Sequence, residues 1–457
     1  MSTLAGLSWF AIVRLGLVQT CLGAVIVLTT STINRIMVVE LALPAMLPGI
    51  LVGIHHAVQM SRPRFGHSSD VGGRTTGWIV LGMIILALGG LGAALGTVRM
   101  AEHTLQGVLI CALAFTAIGL GASAAGTSLL VTLAKHVDPH RKAAAATIVW
   151  IMMIAGFAVT AGVAGHYLDP FSPLRLIQVT GTVSALAIVV TLIATYRVEP
   201  RYAPQSGPAF ADEQAASGHH ASLNFREALK VVWAESEARR FTVFVFVSML
   251  AYSAQDLILE PFAGLVFAMT PGESTQLAGV QHGGVLLGML LVACTTLLRK
   301  DSSARALRSW TAGGCFASAV ALLGIVFGGF NAGSWPLSAN VMFLGLANGA
   351  FAVAAIASMM TLASEGAEKR DGLRMGLWGA AQAIAFALGG FLGTVAVDIS
   401  RALVTEPALA YGLVFALEAA LFVAAASIAL TLRAVPRAGG HSPNIGEIAM
   451  VEVMDVR

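Results

Sequence analysis

Charged side chains are few in this sequence. Asp, Glu, Lys and Arg together make up 11% of the 457 residues, whereas soluble globular domains carry roughly 25%. With 57% hydrophobic residues and a mean hydropathy of +0.80, the chain lacks the polar surface that a water-soluble fold of this length needs. Its formal net charge of +3 is too small for an electrostatic nucleic-acid interface. Cysteine is rare as well: Cys21, Cys111, Cys294 and Cys315 all lie inside apolar runs without metal-like spacing. They read as small core residues, so neither disulfides nor a metal site is expected. No nucleophile–base pattern, phosphate-binding loop or metal-ligand cluster is apparent, which makes a non-enzymatic protein the expectation. The first apolar run is too long for a signal peptide and no small-residue cleavage site follows it, so no cleavable signal is expected.

Apolar length is what the sequence has. A bilayer core takes about 20 apolar residues per helix, and twelve runs qualify: 11–33, 43–60, 77–98, 105–134, 143–165, 174–196, 241–267, 277–298, 306–330, 336–363, 372–397 and 408–432. Asn34, Arg35 and Glu40 fall in a short link between the first two, before Pro44 and Pro48 open the second. Lys and Arg are spread unevenly over the links. Nineteen lie in, or within three residues of, the links after even-numbered runs, against four (Arg35, Arg99, Arg175 and Arg401) in or beside those after odd-numbered ones. By the positive-inside rule both termini are cytoplasmic, which requires an even number of spans.

The chain divides near its middle. Residues 1–197 hold six runs, 198–238 form a polar linker, 239–433 hold six more, and 434–457 read as a disordered cytoplasmic tail. In the linker, PRYAPQSGPAFADEQAASGHH reads as flexible, and SLNFREALKVVWAESEARR as an amphipathic helix on the membrane surface. One fixed offset between the halves places Arg141-Lys142 over Lys369-Arg370, Trp150 over Trp378, Gly162 over Gly390 and Gly165 over Gly393. That pairs run 5 with run 11, as a parallel internal repeat would.

Polar groups inside lipid are costly unless paired or wet, and so point to function. In run 7, AYSAQDLILEPF brings Gln255, Asp256 and Glu260 together, with the two acids one turn apart on one face and Pro261 expected to break the helix locally. They read either as a ligand or proton site facing a central cavity or as acids at the membrane interface. Asn34, Arg35, Glu40 and Gln382 complete the candidate cavity set. Gln19 and Glu418 are also intramembrane by position and read as hydrogen-bonding groups. His55 and His56 lie in run 2, and His282 near the start of run 8, the equivalent run of the other half. Each offers a neutral imidazole for ligation or for a hydrogen bond to a neighbouring helix. His55 and His56 are adjacent and so about 100° apart around a helix, which lets only one of them face a cavity.

The polar interval RPRFGHSSDVGGRTTG, residues 62–77, keeps Gly66, Asp70, Gly73 and Arg74 in the spacing G-x3-D-x2-G-R. It resembles the cytoplasmic loop between helices 2 and 3 of the major facilitator superfamily, with Val71 and Thr75 where that loop usually carries basic residues. RLGLVQTCLGAVIVLTTSTINRIMVVELALPAMLPG, AYSAQDLILEPFAG and GLWGAAQAIAFALGGFLG extend the likeness over nearly the whole chain. Together these segments are similar to the PucC/LhaA family, the bacteriochlorophyll-delivery members of that superfamily. The resemblance implies an all-α membrane protein of twelve transmembrane helices in two six-helix halves, in a bacterial inner membrane. It implies a factor that binds bacteriochlorophyll as cargo and hands it to the antenna polypeptides of light-harvesting complexes. Membrane insertion machinery and bacteriochlorophyll synthase are further partners to expect, and nucleic acid is not. For such a cargo, His55, His56 and His282 are candidate ligands of the chlorin magnesium. Two other functions fit the same residues: a secondary transporter with Asp256 or Glu260 carrying a coupling proton, and a pigment-free scaffold for antenna assembly.

Overall fold

A computed structural model describes residues 7–60, 75–138, 141–198, 233–299, 303–364 and 371–432. The Gly66, Asp70, Gly73 and Arg74 loop, most of the linker with its amphipathic segment, and the tail lie outside the described residues. Within them the chain forms twelve long helices and no strand. These are α1 Trp9–Glu40, α2 Met46–Gln59, α3 Thr76–Met100, α4 Thr104–His136, α5 Lys142–Leu168 and α6 Pro173–Thr195, followed by α7 Ser236–Val266, α8 Pro271–Arg299, α9 Ala304–Phe330, α10 Leu337–Ser364, α11 Asp371–Leu403 and α12 Pro407–Thr431. Of these, 11 are long and apolar enough to cross a membrane; α2, with 14 residues, is the shorter one. Serines set several starts: Ser8 caps α1, Ser172 caps α6 ahead of Pro173, and Ser303 caps α9. On α3, Leu81, Leu88 and Leu95 form an exposed stripe opposite buried Met83, Leu86 and Ala94, an outer face suited to lipid.

The packing repeats with a step of six helices. α3 lies on α4 as α9 lies on α10, α1 on α5 as α7 on α11, α3 on α6 as α9 on α12, α1 on α6 as α7 on α12, and α2 on α4 as α8 on α10. Two seams join the halves, α5 against α8 and α2 against α11, and each is the counterpart of the other. The apolar core divides the same way. One cluster is built from the first six helices with Leu257 inserted from α7, and the other from the last six with Val38 and Ala45 inserted from the first half. At residue level the repeat is looser, since Trp150 is 43% exposed and its aligned partner Trp378 only 1%.

Two expectations about helix ends are corrected. Asn34, Arg35 and Glu40 do not lie in a link: α1 continues through them in two π-helical segments, Leu28–Thr32 and Ile36–Glu40, and the break comes after Glu40. Polar groups end a membrane helix only where they find no partner inside, and here Asn34 and Arg35 bond to the other half. Likewise Pro261 does not end α7, which carries it inside the helix to Val266.

The α5–α8 seam is tightest at Gly165, where an added Cβ would sit 2.6 Å from the Gly272 carbonyl oxygen. At Gly162, one turn earlier, it would meet nothing within 4 Å. Gly165→Ala is therefore expected to cost about 1–3 kcal/mol by forcing the helices apart, whereas Gly162→Ala is neutral or stabilises by up to about 1 kcal/mol through helix propensity. Thermal unfolding of the two variants in detergent checks the contrast; equal midpoints would show that the seam is not held at this contact.

Candidate functional site

The halves meet closely at the end of the bundle that carries the links after odd-numbered helices. There α1 turns into α2 and α7 into α8 by the same device. In each turn an alanine takes the left-handed region, Ala42 at φ 50° and Ala268 at φ 53°. Just after it, a backbone N–H reaches back six residues to a helix carbonyl, Leu43 to Met37 and Met269 to Ala263. Each new helix then starts against an aspartate from the far end of a helix in the opposite half. Asp398 on α11 accepts the N–H groups of Ala45 at 2.9 Å and Met46 at 2.7 Å, at the start of α2. Asp169, immediately after α5, accepts the Thr270 hydroxyl at 2.6 Å and the Gly272 N–H at 3.1 Å, at the start of α8. Free N–H groups and the positive end of the helix dipole make these natural carboxylate seats. Thr270 and Glu273 add a capping box, with bonds of 2.9 and 3.1 Å, so Glu273 is part of a helix start.

Beneath these clamps lies a buried polar cluster. Arg35 is 2% exposed; it donates through Nη2 to the Met269 carbonyl at 2.6 Å and through Nη1 to Glu40 Oε1 at 2.5 Å. Asn34 donates to the Leu257 carbonyl at 2.6 Å, and the hydroxyls of Thr32 and Thr275 meet at 3.0 Å. The two acids of α7 part company. Asp256 accepts from Gln281 on α8 at 3.4 Å, while Glu260 is 2% exposed and neither of its carboxylate oxygens bonds to a described residue. The amide of Gln255 is buried in the same condition, as is the carboxylate of Glu418 on α12. Gln382, half-buried on α11, is not tied into this cluster by any hydrogen bond among the described residues.

The histidines take up the seams. His55 is buried, with Nε2 2.7 Å from the Gln59 side-chain nitrogen, and its backbone lies against Gly119 of α4. His56 points to the α2–α11 seam, its ring 6.0 Å from Phe386, which in turn is 5.9 Å from Tyr252 of α7. In the other seam His282 stands 5.0 Å from Phe157 of α5. Sequence reasoning singled out the histidines and missed Asp169, Asp398, Phe157, Phe386 and Gln281. An offset one position longer than the one used would have placed Asp169 over Asp398 and Phe157 over Phe386.

A sequence profile described as PUCC protein matches residues 32–436. The chain belongs to the PUCC family. Among its relatives, the Bacteriochlorophyll synthase 44.5 kDa chain of Rhodobacter capsulatus is 49% identical, over 93% of this chain and 95% of that one. Protein PucC of the same organism is 27% identical over 92% of each. Among solved structures, the bacterial homolog of the human lysosomal transporter Spinster superposes with TM-score 0.64 at 15% identity, covering 92% of this chain and 96% of that one. A D-xylose-proton symporter gives TM-score 0.64 at 14% identity, covering 93% and 97%. The protein is thus a membrane protein, all helical among the described residues, with the major facilitator superfamily fold.

Proposed function

We propose that this PUCC family protein binds a magnesium tetrapyrrole, bacteriochlorophyll or its esterified precursor, within the membrane and delivers it to antenna polypeptides without catalysing a reaction. The observation that carries the reading is His56, an intramembrane imidazole at the seam between the halves with an aromatic ring beside it. A tetrapyrrole has a broad apolar face and a magnesium that accepts one axial ligand, and a single neutral imidazole holds it weakly enough for release. The names of the relatives, one a bacteriochlorophyll synthase chain and others PucC, support the cargo. In this reading the protein sits in the bacterial inner membrane with both termini cytoplasmic. The two halves, 1–197 and 239–433, are then tethered by the linker on that face, next to antenna polypeptides, insertion machinery and the synthase that supplies pigment.

The test is the absorption spectrum of protein purified in mild detergent from a pigmented host. The parent is expected to carry pigment in near-stoichiometric amount. His56→Phe should carry clearly less, whereas His55→Phe, at a ring already engaged by Gln59, should match the parent. A His56→Phe protein with the parent's pigment content and spectrum would move the ligand elsewhere.

Proton-coupled transport is a second reading, favoured by Glu260, a buried acid with both oxygens unbonded among the described residues, near Arg35 and its bond to the other half. Uptake into proteoliposomes that collapses with the pH gradient and with Glu260→Gln is the result it requires; retention of uptake by Glu260→Gln sets this reading aside.

A further inference from the structure

The two seams carry more than matching helices. The offset that takes α2 onto α8 takes Ala42 to Ala268, Met46 to Gly272 and His56 to His282. The slightly longer offset that takes α5 onto α11 takes Asp169 to Asp398 and Phe157 to Phe386. His282 beside Phe157 is therefore the counterpart of His56 beside Phe386, and the geometry agrees: ring centroids 5.0 and 6.0 Å apart, planes inclined at 44° and 49°. Clamp, turn, histidine and phenylalanine recur in the same order along both seams.

His282 is also the histidine whose chemistry is least spent. Its Nδ1 is buried without a hydrogen-bond partner among the described residues, and the ring's recorded contact is with Phe157. Buried polar atoms are nearly always paired, and an intramembrane histidine ordinarily bonds a neighbouring helix, so an orphaned imidazole calls for a partner from outside the chain. A neutral imidazole supplies a lone pair, the donor that a four-nitrogen-bound magnesium accepts axially. Uncrowded backbone and an apolar wall adjoin it. An added Cβ at Gly283 on α8, or at Gly162 on α5, would meet nothing within 4 Å, and Ile154, Val285 and Met289 pack into one apolar cluster along the same seam.

We propose that His282 and Phe157 form a second tetrapyrrole seat at the α5–α8 seam, so that each chain carries two magnesium tetrapyrroles, one at each seam. This rests on the pigment-delivery reading and specifies its stoichiometry and its second site. The test titrates bacteriochlorophyll a into the purified, pigment-depleted full-length protein in detergent, following the visible band that responds to axial ligation of magnesium. The parent should saturate at two equivalents per chain, His282→Ala and His56→Ala at one each, and the double variant near zero. Added imidazole should restore the second equivalent to His282→Ala, which separates lost ligation from lost folding, and Phe157→Leu should weaken that seat severalfold while leaving the first intact. Saturation of the parent at a single equivalent that His282→Ala leaves unchanged would overturn the second seat and leave delivery through His56 standing. So would loss in His282→Ala that imidazole does not restore while the first seat still fills. A parent that binds no pigment would overturn the delivery reading together with the second seat.

Discussion

Arg35→Ala is expected to lower the thermal unfolding midpoint of the purified protein by the equivalent of about 3 kcal/mol, the low end of what breaking a buried charge pair costs. The guanidinium is 2% exposed, ties α1 to the Met269 carbonyl of the other half and lies against Gly264, where an added Cβ would be 3.0 Å from Nη2. Its removal leaves the half-buried Met269 carbonyl unpaired and Glu260 without a nearby cation. The low end is chosen because its ion-pair partner Glu40 is 35% exposed and can turn to water. Glu40→Gln keeps an acceptor for Nη1 and leaves Glu260 near the guanidinium, so it should cost about 1 kcal/mol or less. Arg35→Lys should recover only part of the loss, since a point ammonium cannot reach both the carbonyl and the carboxylate with the fork geometry of arginine. An Arg35→Ala protein that unfolds with the parent would show that the two halves are held together elsewhere.

The second large effect is expected from the paired aspartates. Each carboxylate capping a helix start from the other half is worth about 1 kcal/mol by cap replacement. Because Asp169 and Asp398 act at separate seams, Asp169→Ala with Asp398→Ala should add to about 2 kcal/mol, a shift of roughly thirtyfold toward separation of the halves at that end. Spin labels at His103 and Gly333, both exposed on odd-numbered links of opposite halves, would report it after the four cysteines are replaced. The parent should give one short distance population and the double variant a second, longer one, with each single variant between. A double variant with the parent's distance distribution would mean that the caps are passive.

How much of this was legible in the sequence depends on how local the cause was. Twelve apolar runs and the repeat between α5 and α11 follow from composition and spacing, and the helices are there. The supposed link at Asn34 and Arg35 could not be read correctly, because what keeps those residues helical is Leu257 and Met269, more than two hundred residues away in sequence. Asp256 and Glu260 share a helix face by spacing, but α8 offers Gln281 to the first, and the second is enclosed beside α1. The Thr270–Glu273 capping box is written in the sequence as T-P-G-E, but it lies ahead of the apolar run 277–298, because the helix starts at Pro271, before its apolar stretch does. The clamps were legible in principle, since Asp169 and Asp398 occupy matching places in the repeat.

Two pins define an axle. The aspartate clamps fix the halves to each other at one point on either seam, both at the same end of the bundle. Two fixed points oppose sliding and twisting of one half on the other more than they oppose rotation about the line that joins them. Over a membrane span of about 30 Å, a turn of about 10° around that line carries the opposite end of a helix through about 5 Å. The seam histidines, placed partway along α2 and α8, would travel only part of that distance. Such a turn would displace the surroundings of these histidines little, and the far end of the bundle by several times more.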